Sequence, residues 1–307
     1  MTGPVESASG RLTMATRRSQ LALAQSRAFA ARLCAASAPL SIDELLVVTT
    51  GDKIQDRPLA EVGGKGVFVK EIEEALIERR ADFAVHSIKD VPGLLADGLQ
   101  IGCVPLRADP RDVLVSRTGA TLMGLPPGSS VGTSSLRRSV LLHKARPDLN
   151  YVPLRGNVDT RLRKVREGTV DAAILAKAGL DRLGLSEHIV EVIAPELCIP
   201  AVGQGALGIE CRQGDAATLA ALAPLHHVET ALAVAAERGV MIEVEGNCRT
   251  PIAAHARRAH DGSMMLVAML AEPDGSNLRI VERSAPWPTS DQQADAFGRG
   301  VGKLLRT

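Results

Sequence analysis

The sequence predicts an α/β fold in which two similar α/β units are followed by a small α+β domain. Across the first two thirds of the 307 residues, short apolar runs alternate with segments of helical periodicity, which favours largely parallel sheets. After Asp215 the pattern changes to two Ala- and Leu-rich helices, three short strands and a final helix. Because aromatic residues make up only 2% of the chain, we expect a core of Leu, Val, Ile and Ala.

The first unit opens with a predicted strand at residues 11–16 and an Ala-rich helix that Ser19 caps at its N-terminus. Arg17, Arg18 and Ser19 form a basic turn at the start of that helix, which is a favourable place for an anion. The remaining predicted elements are strands at residues 42–49, 83–85 and 99–105, a loop at 50–66 and an amphipathic helix at 67–80.

Residues 86–92, with the sequence His-Ser-Ile-Lys-Asp-Val-Pro, directly follow the predicted strand at 83–85. Pro92 ends that strand, and α/β proteins bind ligands at strand ends, so Asp90 is well placed for chemistry. For an isolated Asp the alternative is a simple turn cap, but the other motifs of the chain favour the chemical role. We interpret His86 as a core histidine rather than an acid–base group.

The second unit repeats the order of strand, polar turn and helix. Its predicted elements are strands at residues 112–117, 151–154 and 171–176 and helices that begin near residues 132, 156 and 177. The third part of the chain is predicted to contain helices at 216–225 and 228–238, strands at 252–256, 264–270 and 278–283, and a helix at 290–305. Two Asp-Gly pairs, at 261–262 and 274–275, are typical of the turns between such strands.

Positive charge is concentrated between Arg137 and Glu167, where nine Lys or Arg residues stand against three Asp or Glu residues. A single Arg is usually part of a solvated helix face, as we expect for Arg163 and Arg166. Other arginines fall at strand ends or helix starts, namely Arg137, Arg138, Arg155 and Arg161. Basic helix N-termini that face a shared cleft would bind a substrate with several carboxylates.

Composition and motifs exclude several other functions. The basic segment contains one aromatic residue, Tyr151, and the net charge is +1, so we expect no nucleic-acid partner. No apolar run reaches the length of a membrane span and the N-terminus lacks a signal core, which predicts a cytoplasmic protein without a membrane partner. Residues 203–208 match Gly-x-Gly-x-x-Gly, but the sequence continues as a strand, so we reject the dinucleotide-binding interpretation.

The cysteines predict neither a disulfide framework nor a metal site, because there are five of them and no Cys-x-x-Cys pair. A free Cys usually behaves as a small hydrophobic residue. Cys248 is the exception, since it lies in a Gly-Asn loop beside Arg249, a setting that favours a reactive thiol.

Seven segments occur in one order along the chain and are specific when taken together. They are residues 16–22 (Thr-Arg-Arg-Ser-Gln-Leu-Ala), 63–70, 86–92, 132–138, 154–162, 202–207 and 246–252 (Gly-Asn-Cys-Arg-Thr-Pro-Ile). From Arg11 to the C-terminal helix, the chain resembles the hydroxymethylbilane synthase, or porphobilinogen deaminase, family. The resemblance implies two α/β domains like those of periplasmic binding proteins, at residues 10–106 with 200–224 and at 110–199. It implies a third domain, α+β with a three-stranded antiparallel sheet, at residues 226–307.

The family's activity implies a monomeric transferase of porphyrin and haem biosynthesis. Four porphobilinogen molecules would be joined head to tail, with release of ammonia, into the linear tetrapyrrole hydroxymethylbilane. A dipyrromethane cofactor, itself made from substrate units, would be attached covalently through Cys248. Each unit carries acetate and propionate side chains, which explains the need for many arginines. The alternative is a non-catalytic two-lobed binding protein for a small carboxylate ligand, against which Asp90 and the loop thiol argue.

The resemblance also implies roles for individual residues. The implied catalytic residues are Asp90, Arg17, Lys89, Arg155, Arg161 and Arg182. The implied cofactor-binding residues are Cys248, Ser19, Lys65, Lys89, Asp90, Ser134, Ser135, Arg137, Arg138, Arg161, Gln204 and Gly205. Asp90 would accept hydrogen bonds from pyrrole N–H groups and offset the cation that forms as ammonia leaves. Glu61, Asn247 and His255 depart from residues frequent in the family, and none of them belongs to these sets.

Overall fold

The computed structural model describes residues 10–53, 69–246 and 250–307, which divide into two compact units. The described part of the first unit is residues 10–53, 69–86, 95–106 and 207–228. The described part of the second unit is residues 87–94, 107–206, 229–246 and 250–307. Lys65 and Cys248, and the departures Glu61 and Asn247, lie outside the described residues. The division into three domains stays a prediction.

Strands and helices alternate through the first two thirds of the chain, as the sequence predicts. The strands are β1 (Arg11–Arg17), β2 (Ser41–Val47), β3 (Phe83–Ser87), β4 (Leu99–Cys103), β5 (Asp112–Ser116), β6 (Ser130–Gly132), β7 (Asn150–Val152), β8 (Ala172–Ala176), β9 (Glu191–Val192), β10 (Leu207–Arg212), β11 (Ile252–Arg258), β12 (Met264–Leu270) and β13 (Arg279–Ala285). The helices are α1 (Gln20–Ala36), α2 (Thr50–Lys53), α3 (Lys70–Ile77), α4 (Leu136–Ala145), α5 (Val158–Arg166), α6 (Lys177–Leu183), α7 (Ala216–Leu222), α8 (Val228–Glu243) and α9 (Asp291–Arg306).

The first unit contains a five-stranded sheet in the order β2-β1-β3-β10-β4. Met14 and Phe29 belong to the core on one face, and Ala15 and Ile72 to the core on the other. Burial on both faces explains why these strands are continuous apolar runs. β1 pairs in parallel with β2 and β3, but β10 pairs antiparallel with β4. The prediction of a largely parallel sheet is therefore wrong at this edge, because β10 enters after a long excursion rather than through a strand–helix–strand crossover.

The helix ends in the first unit follow local signals. α1 begins directly after Ser19, whose Oγ accepts a hydrogen bond from the Ala22 N–H at 3.3 Å, so the predicted cap is confirmed. α3 is shorter than the predicted 67–80. It ends before Arg79, which is exposed and has a left-handed φ of 60°.

The second unit contains another five-stranded sheet, in the order β7-β6-β8-β5-β9. β6 pairs in parallel with β7 and β8, whereas β5 runs antiparallel to β8 and β9. Val113 and Leu114 contribute to the cores on opposite faces. β5 therefore passes through the middle of the unit, and its first residue, Asp112, is 0% exposed.

A separate three-stranded sheet, in the antiparallel order β11-β12-β13, packs with α8 and α9 in the second unit. This is the arrangement predicted for the last part of the chain. Gly262 and Gly275, of the two Asp-Gly pairs, both have positive φ, as turn residues do.

Residues 203–206, termed here the 203–206 turn, carry the first two glycines of the Gly-x-Gly-x-x-Gly match. A strand, β10, follows them rather than a helix, which confirms that this is not a dinucleotide fingerprint. Gly203 has a φ of 66°, and a Cβ there would overlap the side chain of Ile88. Ile88 also donates its N–H to the Ala206 carbonyl at 3.1 Å. The 203–206 turn therefore supports the short 3-10 turn Ile88–Asp90, termed the Asp90 turn.

Glu237, in α8, is a fully buried carboxylate that ties several segments together. It accepts hydrogen bonds from Arg107 Nη1 at 2.6 Å and Nη2 at 3.0 Å, from the Gly203 N–H at 2.7 Å and from the Ala256 N–H at 2.8 Å. Burial alone would raise the pKa of Glu237, but Arg107 and the nearby His255 lower it to about 2.

Arg238, the next residue of α8, holds the segment after the Asp90 turn. Its Nη2 donates to the carbonyl oxygens of Pro92 and Gly93, both at 2.9 Å. α8 therefore supports both the 203–206 turn, through Glu237, and the chain that leaves the Asp90 turn.

No single helix of the described residues has the length and hydropathy of a membrane span. Two consecutive helical segments, Ala216–Leu225 and Val228–Glu243, reach that length and hydropathy only when they are counted together, and the chain bends by 107° between them. The cysteines at 34, 103, 198 and 211, which are within the described ranges, are free thiols.

Replacing Glu237 by Gln should destabilise the protein, because Arg107 is then buried beside a neutral amide. We expect a loss of about 3–5 kcal/mol in the free energy of unfolding at pH 7. The folded pKa of about 2 lies below the ordinary value of 4.5, so the carboxylate's stabilisation is complete above pH 4.5 and is lost as the pH falls toward 2. The difference between Glu237→Gln and wild type, measured by urea unfolding, should therefore shrink below pH 4.5.

The matched control is Glu229→Gln, on the same helix. Its partner is Arg258, at 3.1 Å, and both side chains are about half exposed, so little stability depends on the pair. A pH-independent difference for Glu237→Gln, or an equal loss for Glu229→Gln, would contradict this account.

Candidate active site

The Asp90 turn presents two charged side chains on a fixed backbone. Ile88 is 1% exposed and anchors the turn, whereas Lys89 and Asp90 are exposed. Three cations interact electrostatically with the Asp90 carboxylate, namely Lys89, Arg161 and Arg182. The structure therefore brings together residues that lie more than ninety positions apart in the sequence.

Arg161 and Arg182 are each oriented by one backbone carbonyl. Arg161, near the start of α5, donates from Nε to the Gly156 oxygen at 2.9 Å. Arg182, in α6, donates from Nη2 to the Gly205 oxygen of the 203–206 turn at 2.7 Å. The Nη atoms of Arg161 have no hydrogen-bond acceptor within the described ranges, which leaves that end of the guanidinium available to a ligand.

Arg137 and Arg138, at the start of α4, are buried and bonded to Asp112. Nη1 of Arg137 lies 2.7 Å from Asp112 Oδ2, and Nη2 of Arg138 lies 2.6 Å from Asp112 Oδ1. Burial alone would raise the pKa of Asp112, but the two guanidinium groups hold it well below its usual range. We predicted these arginines as cofactor ligands, and each also has an internal carboxylate partner that the sequence did not indicate.

Two cations of the cluster have lowered pKa values. Lys89 is exposed at the surface, yet surrounding protein lowers its pKa to about 8, with repulsion from Arg138 and Arg137 acting against attraction by Asp90 and Asp112. Desolvation, together with the charges of Arg138 and Arg155, lowers the pKa of Arg161 to about 10. The protonated forms are therefore less favourable here than in water.

The local charge balance calls for an anion. Three carboxylates, Asp90, Asp112 and Asp181, interact with a set of six cationic side chains, namely Lys89, Arg137, Arg138, Arg155, Arg161 and Arg182. A ligand that brings several carboxylates would relieve this repulsion and could accept bidentate hydrogen bonds.

The remaining polar residues predicted for this site are already engaged with protein groups. Ser134 donates its hydroxyl to the Leu154 carbonyl at 2.9 Å, and the Ser135 side chain caps α4. Gln204 donates from Nε2 to the Pro110 carbonyl at 2.6 Å and to Asp112 at 2.9 Å. Its Oε1 is buried and receives no hydrogen bond from a donor among the described residues.

Other predicted residues lie elsewhere in the chain. Arg17 is half-buried at the end of β1, and Ser19 caps α1, both in the first unit. Lys65 and Cys248 are outside the described residues. Arg163 and Arg166 are exposed, as predicted for the solvated face of α5. His86 is buried and its Nε2 lies 2.9 Å from Glu210 Oε2, which confirms its interpretation as a core histidine.

Three supporting residues were missed from sequence, namely Asp112, Gly203 and Arg238. Asp112 carried one signal, because a charged residue at the start of an apolar strand is buried only when it is paired. Gly203 belonged to the glycine pattern of residues 203–208, for which dinucleotide binding was rejected, and the pattern did not reveal the contact of Gly203 with Ile88. Arg238 had no distinguishing signal, since a basic residue in an Ala-rich helix is ordinarily solvated. In the described part of the chain, no group of three His, Cys, Asp or Glu side chains is arranged to hold a metal ion.

Comparison with known proteins identifies what this site resembles. A family model described as porphobilinogen deaminase, dipyromethane cofactor binding domain, matches residues 12–220. A second model, described as porphobilinogen deaminase, C-terminal domain, matches residues 231–306. A porphobilinogen deaminase of Sorangium cellulosum is 59% identical over 295 residues, which cover 96% of this chain and 98% of the relative. One of Syntrophobacter fumaroxidans is 49% identical, with 96% and 94% covered.

Among solved structures, the methionine binding protein MetQ has a TM-score of 0.45 at 14% identity, with 73% of this chain and 94% of that chain covered.

The residues around Asp90 fit the cofactor that the first family model names. Dipyrromethane built from porphobilinogen carries several carboxylates, and the desolvated Arg161 and Lys89 lie in a cluster with excess positive charge. With two family models matched across most of its length, this chain belongs to the porphobilinogen deaminase family, whose members are tetrapyrrole-synthesising transferases with a dipyrromethane cofactor.

Proposed function

We propose that this chain joins four porphobilinogen molecules head to tail into hydroxymethylbilane, with release of ammonia, on a cofactor attached through Cys248. The observation that carries this proposal is the excess of cations, two of them with lowered pKa values, around one exposed carboxylate, Asp90. Such a cluster is unfavourable in the free protein and suits a ligand whose carboxylates increase in number as units are added.

The arginines bind and orient the reacting groups. When bound, the dipyrromethane supplies the terminal pyrrole to which each new unit is joined. Arg161 offers its Nη atoms to a carboxylate, Arg155 adds positive charge beside it, and Arg182 interacts with Asp90. Because a guanidinium binds a carboxylate through two parallel hydrogen bonds, it fixes both distance and direction. Arg17, Ser19 and Lys65 are proposed to assist in binding, as the resemblance to the family implies.

Asp90 stabilises developing positive charge, and Lys89 takes part in proton transfer. The Asp90 carboxylate accepts hydrogen bonds from pyrrole N–H groups and offsets the positive charge that develops on the substrate as ammonia departs. Its backbone does not need to reorganise, since Ile88 and Arg238 hold the segment on both sides. Lys89, with a pKa of about 8, gains or loses a proton near neutral pH and so suits proton transfer at the reacting amine.

Gln204 and the two serines complete the proposed set. Gln204 and Gly205 are proposed as cofactor-binding residues, as the resemblance implies, with the Gln204 side chain held by the Pro110 carbonyl and Asp112. Ser134 and Ser135 stabilise the start of α4 and thereby the position of Arg137 and Arg138. We further propose that the protein works as a cytoplasmic monomer without a nucleic-acid or membrane partner. Light scattering of the purified protein tests the monomeric state.

The intact mass of the purified protein tests the proposal most directly. A host that makes porphobilinogen should yield protein heavier than the chain by one dipyrromethane, because Cys248 belongs to the sequence segment 246–252 that resembles the family's attachment site. The matched variant Cys248→Ala should have the unmodified mass. Unmodified wild-type protein with an alkylatable Cys248 would refute the proposal. Binding of a carboxylate ligand without release of ammonia would also refute it, and would indicate a non-catalytic binding protein.

Replacing Asp90 by Asn should leave folding and cofactor attachment intact while turnover falls. The change removes the charge that is needed only as ammonia leaves, so the loss should appear in kcat rather than KM. Removing one such electrostatic group typically lowers kcat by about two to three orders of magnitude. An Asp90→Asn enzyme within a factor of a few of wild type, measured by ammonia release, would show that Asp90 is only a turn residue.

Arg161→Leu and Arg163→Leu separate ligand binding from surface charge on one helix. Arg161 is desolvated among cations, whereas Arg163 is exposed and pairs with Glu167. We expect Arg161→Leu to lower kcat/KM for porphobilinogen by about 30-fold or more, the scale for losing one partner of a desolvated charge pair. Its thermal stability without ligand should be unchanged or higher, because repulsion is removed. Arg163→Leu should match wild type in both measurements, and equal losses in the two variants would contradict the assignment.

A further inference from the structure

Asp112 lies at the centre of the arginine cluster but touches none of the exposed surface. As the first residue of β5 it is 0% exposed, and both of its oxygens are used. Oδ1 accepts from Arg138 Nε at 3.0 Å, Arg138 Nη2 at 2.6 Å and Gln204 Nε2 at 2.9 Å. Oδ2 accepts from Arg137 Nη1 at 2.7 Å and from the Cys198 thiol at 3.3 Å. The carboxylate's hydrogen-bonding capacity is therefore filled by protein groups.

The two arginines use Asp112 differently. Arg138 donates Nε and Nη2 to Asp112 and Nη1 to the Ile174 carbonyl at 2.9 Å, so all three of its nitrogens face protein. Arg137 donates only from Nη1, to Asp112, to the Ile199 carbonyl at 2.7 Å and to Cys198 Sγ at 3.3 Å. Its Nε and Nη2 atoms have no acceptor in the portion of the chain that the structure describes.

The unused side of Arg137 is termed here the outer edge. Nε and Nη2 of a guanidinium form one of the two faces that bind a carboxylate through parallel hydrogen bonds. Because Nη1 is held by Asp112 and Ile199, the planar guanidinium group cannot rotate without breaking these bonds. The outer edge is thus fixed in direction before any ligand arrives.

We propose that Asp112 is the positioning residue that fixes Arg137 so that its outer edge meets a carboxylate of the bound cofactor or growing chain, with Arg138 locked beside it. The inference rests on the proposed function and extends it to a residue that does not touch the ligand. Two arginines and one aspartate also leave one positive charge, so the cluster retains attraction for an anion.

The direct test is Asp112→Asn, which keeps the shape of the side chain but turns an amide N–H₂ toward an arginine donor. We expect a lower fraction of protein with cofactor by intact mass. Among the cofactor-containing molecules, kcat/KM for porphobilinogen should fall by on the order of tenfold to a hundredfold, as for residues that orient metal ligands. The basic limb of the pH profile should also move to lower pH, because Asp112 no longer favours the protonated form of Lys89.

The matched control is Asp148→Asn, just past the other end of α4. Asp148 accepts two hydrogen bonds from Arg146, at 2.7 and 2.6 Å, near the surface. Cofactor content, kcat/KM and pH profile should equal those of wild type in this variant. Lower cofactor content together with lower kcat/KM in folded Asp112→Asn separates positioning from a merely structural role, which would reduce only the amount of folded protein. The shifted pH profile reports the loss of the Asp112 charge near Lys89.

If Asp112→Asn does not fold, the restraint that Asp112 places on Arg137 can be measured in protein that keeps Asp112. In full-length Cys248→Ala, which lacks the proposed attachment thiol, ¹⁵N spectra should show slow rotation about the Nε–Cζ bond of Arg137 and fast rotation for the exposed Arg163. Fast rotation of Arg137 would overturn the inference. So would a folded Asp112→Asn enzyme with wild-type cofactor content, kinetics and pH profile. Wild-type protein without cofactor or turnover would instead refute the proposed function itself.

Discussion

The pairing of buried carboxylates with arginine is the interaction on which the second unit depends. An isolated carboxylate inside a protein costs several kcal/mol, so Asp112 and Glu237 are tolerated only because guanidinium groups and backbone N–H groups surround them. The partners come from distant parts of the chain, since Glu237 in α8 bonds to Arg107 and to the Gly203 N–H. The bonds that stabilise these charges therefore also hold the 203–206 turn, and through Ile88 the Asp90 turn, in place.

The side chains that face the proposed ligand are in the opposite situation. Lys89 and Arg161 have lowered pKa values because protein desolvates them and other cations repel them. Groups held in unfavourable positions by a well-bonded framework are common at functional sites, where stability is given up for binding. A ligand with several carboxylates removes this repulsion between cations. The charges that reduce the stability of the free protein therefore also increase its affinity for the ligand.

Much of the fold was predictable because its signals are local. The Ser19 cap, the Asp-Gly turns and the apolar runs of β5 and β8 depend on neighbouring residues, and the structure confirms them. Strand direction was less predictable. β10 runs antiparallel to β4 because it returns after about a hundred residues, and no local pattern records the direction of that return. For the site, the position of Asp90 after a strand and the basic starts of α4 and α5 were readable from the sequence.

By itself the sequence determined which chemical groups are available: one carboxylate after a strand, a series of arginines at helix starts and a thiol in a polar loop. It also determined the helices and strands that carry them, since these follow from periodicity and capping. Only the tertiary structure decided which arginines are bonded inward and which keep a free edge. Asp112 lies 25 residues from Arg137 and 92 from Gln204, and hydrogen bonds over such separations depend on how the sheet and helices pack rather than on any spacing along the chain.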